Sequence, residues 1–235
     1  MSDSFRAAMA TLDRSGDQPP VVCDLFISTF AVSGAAVSTV GNVLGSETLG
    51  ASDEKAARLD ELQFDLGEGP CWDAIGSGDA VLEPRVRQGG RQRWPAFSAS
   101  VEAEEVSSVF AFPLSVGPLR FGAVDLYSVR PMSLDPAQTE QALAMAGVVG
   151  RHVLRSALSK IGADGEEEGN AYSRRLVHQA TGMVLAQIDV PPDDARLVIQ
   201  GHAFAADRSM MEIAQDIIDG KLRFTRVGMR IEAES

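Results

Sequence analysis

The sequence predicts an α+β domain, an antiparallel sheet flanked by helices, followed by a small all-α bundle of three helices. Three observations carry this prediction. The run Gly162-Ala163-Asp164-Gly165-Glu166-Glu167-Glu168-Gly169-Asn170 has no large apolar side chain and divides the chain. Before it, strand-like runs alternate with helical patterns; after it, every pattern has helical spacing. The expected division is an N-terminal segment 1–18, a domain over 19–161 with a long closing helix, a linker 162–170, a helical domain 171–224 and a tail 225–235.

Val21 to Ala31 predicts a buried helix and Gly34 to Val40 a strand, with Leu44 to Ala51 as its hairpin partner across the Gly41-Asn42 turn. Asp53 to Phe64 predicts a helix, with Ala56, Leu59 and Leu62 at helical spacing and Ser52 as candidate N-cap. A short strand is expected at Ala80 to Glu83, then a helix from Trp94 to Ala103 with Pro95 in its first turn. Ser107 to Val116 and Leu119 to Val129 are the strongest strand patterns, joined tightly at Gly117-Pro118. A long helix runs from Asp135-Pro136 to Ile161.

Beyond the break, one helix is expected from Ala171 to Gln187. A second runs to Ala206, its N-terminal dipole complemented by Asp193 and Asp194. A third opens at the capping box Ser209-Met210-Met211-Glu212 and ends at Gly220. The second carries an apolar stripe of Ala195, Ile199, His202/Ala203 and Ala206; the third carries Met210, Ile213/Ala214 and Ile217. Such stripes close one small core, and Phe204, beside the stripe, is expected to join it.

Charge and composition narrow the function. Of 235 residues 45% are hydrophobic, ordinary for a chain with a buried core. Cys23 and Cys71 are too few for a disulfide framework and lie in no CxxC, which points to a reducing cytoplasm. Met1 to Arg14 lacks the apolar region of a signal peptide, and no run approaches the ~20 apolar residues of a membrane span. The net charge is −12, yet from Tyr172 onward eight Lys/Arg stand against nine Asp/Glu, while the rest carries 13 against 24. The acidity therefore belongs to the first part, and the last part is able to present a basic face to phosphate.

His152, His178, His202 and the two cysteines assemble no nucleophile, base or metal cluster, so no catalytic residue, metal or cofactor is expected. Glu68-Gly69-Pro70-Cys71-Trp72 lacks the activating neighbour of a reactive thiol; Gly67, Gly69 and Pro70 instead set a turn that starts a helix at Cys71. Arg174, Arg175 and His178 on the first turns of one helix, with Arg208 at the start of another, form a candidate phosphate-contacting face. The alternative is an ordinary solvated face bridged to Glu166–Glu168 or Asp207. Ala180 and Gly182 are small residues within a helix; either an RNA strand or a neighbouring helix of the bundle approaches there. Ala146, Gly147 and Gly150 on the long helix allow it to pair with a copy of itself, or only to lie on the sheet.

Two family resemblances sharpen these expectations. Arg174-Arg175-Leu176-Val177-His178-Gln179-Ala180-Thr181-Gly182-Met183-Val184-Leu185-Ala186, the Pro/Asp turn with Ala195, Ala203 to Asp207, and Ser209-Met210-Met211-Glu212-Ile213-Ala214 together resemble an ANTAR domain over about 50 residues. Thr181, in place of the family's usual Lys, and Ile199-Gln200-Gly201, in place of a common L-R pair, depart from it. Gln63, Gly67-Glu68-Gly69-Pro70-Cys71, Ala74, Arg93-Trp94-Pro95, Phe97, Phe112-Pro113-Leu114, Gly122 and Leu126-Tyr127-Ser128 resemble a GAF domain. The pair implies a transcription antitermination regulator. Its sensor, with Gly67, Glu68, Gly69, Pro70 and Cys71 bordering the ligand region, would gate RNA binding by Arg174, Arg175, His178, Ala180, Thr181, Gly182, Arg208 and Ser209. It implies stem-loops in nascent RNA as target, a homodimer through the connecting helix, and a small molecule or a signalling kinase as input. A second reading gives the helical domain protein contacts alone, consistent with the acidic net charge and the missing Lys.

Overall fold

The computed structural model describes residues 3–16, 18–41, 44–161, 174–227 and 230–234. The expected linker 162–170 and Tyr172 lie outside the described residues. The chain forms two compact units, Met1–Tyr172 and Ser173–Ser235.

Unit 1 opens with α1 (Asp3–Ser15) and α2 (Pro19–Phe30), followed by β1 (Gly34–Thr39) and β2 (Glu47–Ala51). Next come α3 (Glu54–Leu66), α4 (Pro70–Ser77), β3 (Val81–Glu83), α5 (Val86–Arg93) and α6 (Pro95–Ala103). The hairpin β4 (Ser108–Val116) and β5 (Leu119–Ser128) leads to α7 (Pro136–Ile161). The strands pair antiparallel in the order β2-β1-β5-β4-β3.

The sheet has a core on each face. Phe26, Phe30, Val37, Phe110, Phe112, Val124, Met145 and Val149 fill one, contributed by the sheet, α2 and α7. Ala36, Leu59, Leu62, Trp94, Phe97, Val109 and Tyr127 fill the other, beneath α3 and α6. Burial on both faces explains why β4 reads as a continuous apolar run rather than an alternating one: Ser108 to Leu114 are all buried.

Several elements differ from the sequence expectation. The segment 1–18 holds α1, whose Phe5, Ala8 and Leu12 follow helical spacing and are buried against the first core. The N-cap of α3 is Asp53 rather than Ser52: the Asp53 carboxylate accepts from the Ala56 N–H at 2.8 Å, while the Ser52 hydroxyl accepts from the Ala35 N–H at 3.0 Å. On α7, Ala146 is fully buried, and a Cβ on Gly150 would sit 3.3 Å from the Ser115 backbone. Those two small residues serve the approach of α7 to the sheet, which accounts for them without a second copy.

Unit 2 contains α8 (Arg175–Ile188), α9 (Pro192–Ala206) and α10 (Met210–Ile218), then β6 (Arg223–Val227) and β7 (Arg230–Glu234). Val177, Ala180, Val184 and Ile188 from α8 meet Ala195, Ile199 and Ala203 from α9 and Met210, Ile213, Ala214 and Ile217 from α10. The unit is therefore not purely helical: 225–235, expected as a tail, belongs largely to an antiparallel hairpin. Phe224 anchors it. Its N–H donates to the Gln187 side chain at 2.9 Å, and its ring meets His202 edge-on at 5.5 Å. Phe204 is not core: one position past buried Ala203 is a rotation of about 100° on a helix, and Phe204 is 70% exposed.

The capping box forms as the sequence indicates. The Ser209 hydroxyl accepts from the Glu212 N–H at 3.2 Å, and the Glu212 carboxylate accepts from the Ser209 N–H at 2.9 Å. Ser209→Ala is expected to lower the stability of unit 2 by about 1 kcal/mol, read as a shift in its urea midpoint by circular dichroism.

Candidate functional sites

In unit 1 a cavity of about 20 Å³ lies between the sheet and α3. Ala36, Ala56, Leu59, Phe97 and Val109 supply apolar walls, and Gln63, Asp125 and Tyr127 supply polar atoms. That space holds about one water, far below the ~300 Å³ of a typical small-molecule pocket. A larger ligand requires a wall to move. Tyr127 donates its hydroxyl proton to Asp53 at 3.0 Å. Burial, then that hydrogen bond and the Asp53 charge, raise the Tyr127 pKa and hold the phenol neutral.

The segment expected to border the ligand proves to be the brace of this wall. Gly67 ends α3 in the left-handed region at φ 65°, and Gly69 opens α4 at φ 136°, where a side chain would be strained. Gln63 is buried; its amide oxygen accepts from the Cys71 N–H at 2.8 Å, and its backbone carbonyl accepts from the Trp72 indole at 2.6 Å. The Glu68 carboxylate accepts from the Phe97 N–H at 2.8 Å, capping α6 from a distance in sequence. Asp73 accepts from Arg93 at 2.7 Å and from the Trp94 indole at 3.1 Å. Of Gly67 to Cys71, Pro70 lines the cavity; the others hold α3, α4 and α6 together. Gln63→Ala removes the acceptor from a buried N–H. It is expected to cost unit 1 about 1–3 kcal/mol, measured by urea unfolding with tryptophan fluorescence.

Neither cysteine sits in an activating environment. Cys23 is fully buried, and burial, followed by the charges of Asp24 and Asp53, pushes its thiol up to about 12. Cys71 is also buried, at the start of α4.

In unit 2 the predicted RNA-contact residues separate into three groups. Arg175, His178 and Gly182 share the exposed face of α8, with Gln179. That helix, Arg175–Ile188, carries no carboxylate. Gly182 has open space beside it: a Cβ there would meet nothing within 4 Å among the described residues. Ala180, by contrast, is fully buried, so it serves the bundle. Arg174 is 3% exposed rather than presented to solvent, and Thr181 turns its hydroxyl to the Val177 carbonyl at 2.7 Å. Arg208 is held by Asp216 at 2.8 Å, and Ser209 is the cap of α10. The face therefore differs from the one expected: Arg174 and Arg208 do not join Arg175 on it.

Arg196 of α9 is a further cation near this face, one that helical spacing on α8 does not reveal. Partial burial, then the charges of Arg196 and Arg174, lower the His178 pKa, so all three groups lie within electrostatic reach. One Arg196 guanidinium nitrogen is buried and unbonded among the described residues. The folded His178 pKa lies below its unfolded value, so protonation favours the unfolded chain. Stability of unit 2 should be complete above the ordinary imidazole value of about 6.5 and should fall as pH drops through it. His178→Gln should flatten that decline when urea midpoints are compared across pH.

No family model matches the sequence, and no curated protein matches it. Solved structures do match its fold. The GAF domain of an Acinetobacter phosphoenolpyruvate–protein phosphotransferase aligns with TM-score 0.53 at 9% identity, covering 68% of this chain and 99% of that one. The corresponding GAF domain from Coxiella burnetii gives TM-score 0.52 at 10% identity, over 68% and 95%. The chromophore-binding domain of an R. palustris bacteriophytochrome gives 0.50 at 9%, over 68% and 61%. The α+β part of this protein thus has the GAF fold.

Proposed function

We propose that this protein is a non-catalytic, signal-responsive RNA-binding regulator of the antitermination type, in which the GAF-fold unit senses a small molecule and unit 2 binds stem-loops in nascent transcripts. The observation that carries the reading is the exposed face of α8. Arg175, His178 and Gln179 lie on the same exposed face, in the turns before a helix-interior glycine, Gly182, beside which an added Cβ would meet no described residue within 4 Å. Glycine there is about 1 kcal/mol worse than alanine, and no contact among the described residues of unit 2 compensates it. A polyanion backbone lying against that turn would use the open space, the cations and the lack of any carboxylate on α8. A ligand larger than a water would have to displace α6 and Pro70 and release the Glu68–Phe97 bond that braces α6, and this reading assigns such an opening to unit 1 as the input.

The test is selection of bound transcripts from cellular RNA by the full chain, with Arg175→Gln/Gly182→Glu as the control. Enrichment of paired stem-loops that disappears in the control is the expected result. An unenriched pool, or enrichment unchanged by the control, overturns the RNA assignment.

A further inference from the structure

A positive cluster between α8 and α9 extends beyond the exposed face of α8. Arg196, on α9, is half-buried, and its Nη1 is closed to solvent with no hydrogen-bond partner among the described residues. A donor shut away from water without an acceptor is unfavourable. No ion pair among the described residues takes up this guanidinium; Asp216 and Asp219, which do pair, hold Arg208 and Lys221. Asp193 and Asp194 stand exposed in the first turn of α9.

His178, exposed on α8, lies in the field of this cluster. The charged groups that reach it are Arg196 from α9 and Arg174 from the position before α8; no carboxylate, and no group of α10 or β6, is among them. Helix α8 has no acid of its own. Two guanidinium charges therefore act on one imidazole, and at that ring no carboxylate offsets them.

We infer that Arg196 and His178 form a phosphate subsite between α8 and α9, in which the guanidinium and an imidazole N–H each donate to a phosphate oxygen. The source of the phosphate rests on the RNA reading: it is a backbone phosphodiester lying beside the turn at Gly182. By turning toward it, Arg196 gains charge-assisted hydrogen bonds in place of an unbonded buried donor. The phosphate charge also opposes those of Arg196 and Arg174 at His178, so phosphate binding and protonation of His178 favour one another. The subsite continues the α8 face, where Arg175 and the open turn at Gly182 suit a strand of phosphates rather than a single carboxylate.

Two measurements on the full chain test this. In the first, stem-loop RNA is titrated across a range of salt. Arg196→Gln is expected to weaken binding about tenfold and to flatten the salt slope by about one counterion, and Arg196→Lys, which keeps the charge, should recover the slope. The parent chain's affinity should rise severalfold between about pH 7.5 and about pH 6, and His178→Gln should remove that rise. In the second, NMR follows the pH midpoint of the His178 ring, identified by its loss in His178→Gln. Dimethyl phosphate, compared with chloride at equal ionic strength, should raise that midpoint in the parent chain and leave it unmoved in Arg196→Gln. Should Arg196→Gln unfold unit 2 by circular dichroism, His178→Gln carries the test through the pH dependence. RNA affinity and slope unchanged in Arg196→Gln overturn the subsite and leave the RNA reading standing. A raised midpoint in a chain that binds no RNA keeps the subsite and overturns the RNA reading. A midpoint unmoved by dimethyl phosphate, or moved equally by acetate, overturns the phosphate assignment.

Discussion

Gly122→Ala is expected to cost unit 1 about 3 kcal/mol or more, and so to leave it largely unfolded or strongly destabilised. Gly122 lies in β5 between two partners, opposite Thr39 of β1 and Leu114 of β4. A Cβ on it would lie 2.1 Å from the Ser38 carbonyl oxygen and 3.1 Å from the Thr39 Cα. Both are backbone atoms of a strand paired on each side, so neither can rotate away as a side chain would. Relief requires separating β1 from β5, which opens both cores at once. Trp72 and Trp94, the chain's two tryptophans, lie in unit 1, so fluorescence in urea reads this unit alone. Gly76→Ala supplies the contrast: it lies in α4 with open space around it and should be neutral or slightly stabilising. Equal urea midpoints for Gly122→Ala and the parent chain would contradict the close approach of β1 to β5 at Gly122.

Gly182→Glu is expected to move two measurements in opposite directions. Nothing described lies within 4 Å of the position, and glutamate is the better helix former, so unit 2 should become more stable by up to about 1 kcal/mol. RNA affinity should fall tenfold or more, a loss of about 1.4 kcal/mol or greater. The new carboxylate repels phosphate from the turn between His178 and Ala186 and fills the space the glycine leaves open. Comparing urea midpoints with binding isotherms separates the two effects. Affinity that stays unchanged while stability rises would mean that Gly182 faces no RNA.

Several elements were legible because their signals are local. The Gly117-Pro118 hairpin and the capping box at Ser209 each declare themselves within a few residues. The elements that were not read depend on partners distant in sequence. Helix α5, Val-Arg-Gln-Gly-Gly-Arg-Gln-Arg, has no apolar periodicity; it is placed by Val86 and Gly90, which pack with Trp94 and Ser98. The hairpin β6–β7 is held by Phe224 against Gln187 and His202, contacts that no window of the sequence contains.

The candidate sites show the same division. Residue types on α8 were legible, because helical spacing places Arg175, His178 and Gly182 together. Which cations reach solvent was not. Arg174 is the neighbour of Arg175 and turns inward, Arg208 is held by Asp216, and Arg196 joins His178 from another helix. In unit 1 the Gly67 to Cys71 motif was legible as a turn, but its role as a brace depends on Gln63 and Phe97, which only the fold brings to it.

The most direct measurement is an equilibrium titration of the full chain with stem-loop RNA across a range of salt. Affinity is expected to fall linearly on a log–log scale, with a slope near −2 for about two phosphate-contacting cations, and Arg175→Gln should flatten that slope by about one. Absence of binding at low salt, or a slope that Arg175→Gln leaves unchanged, would contradict the account.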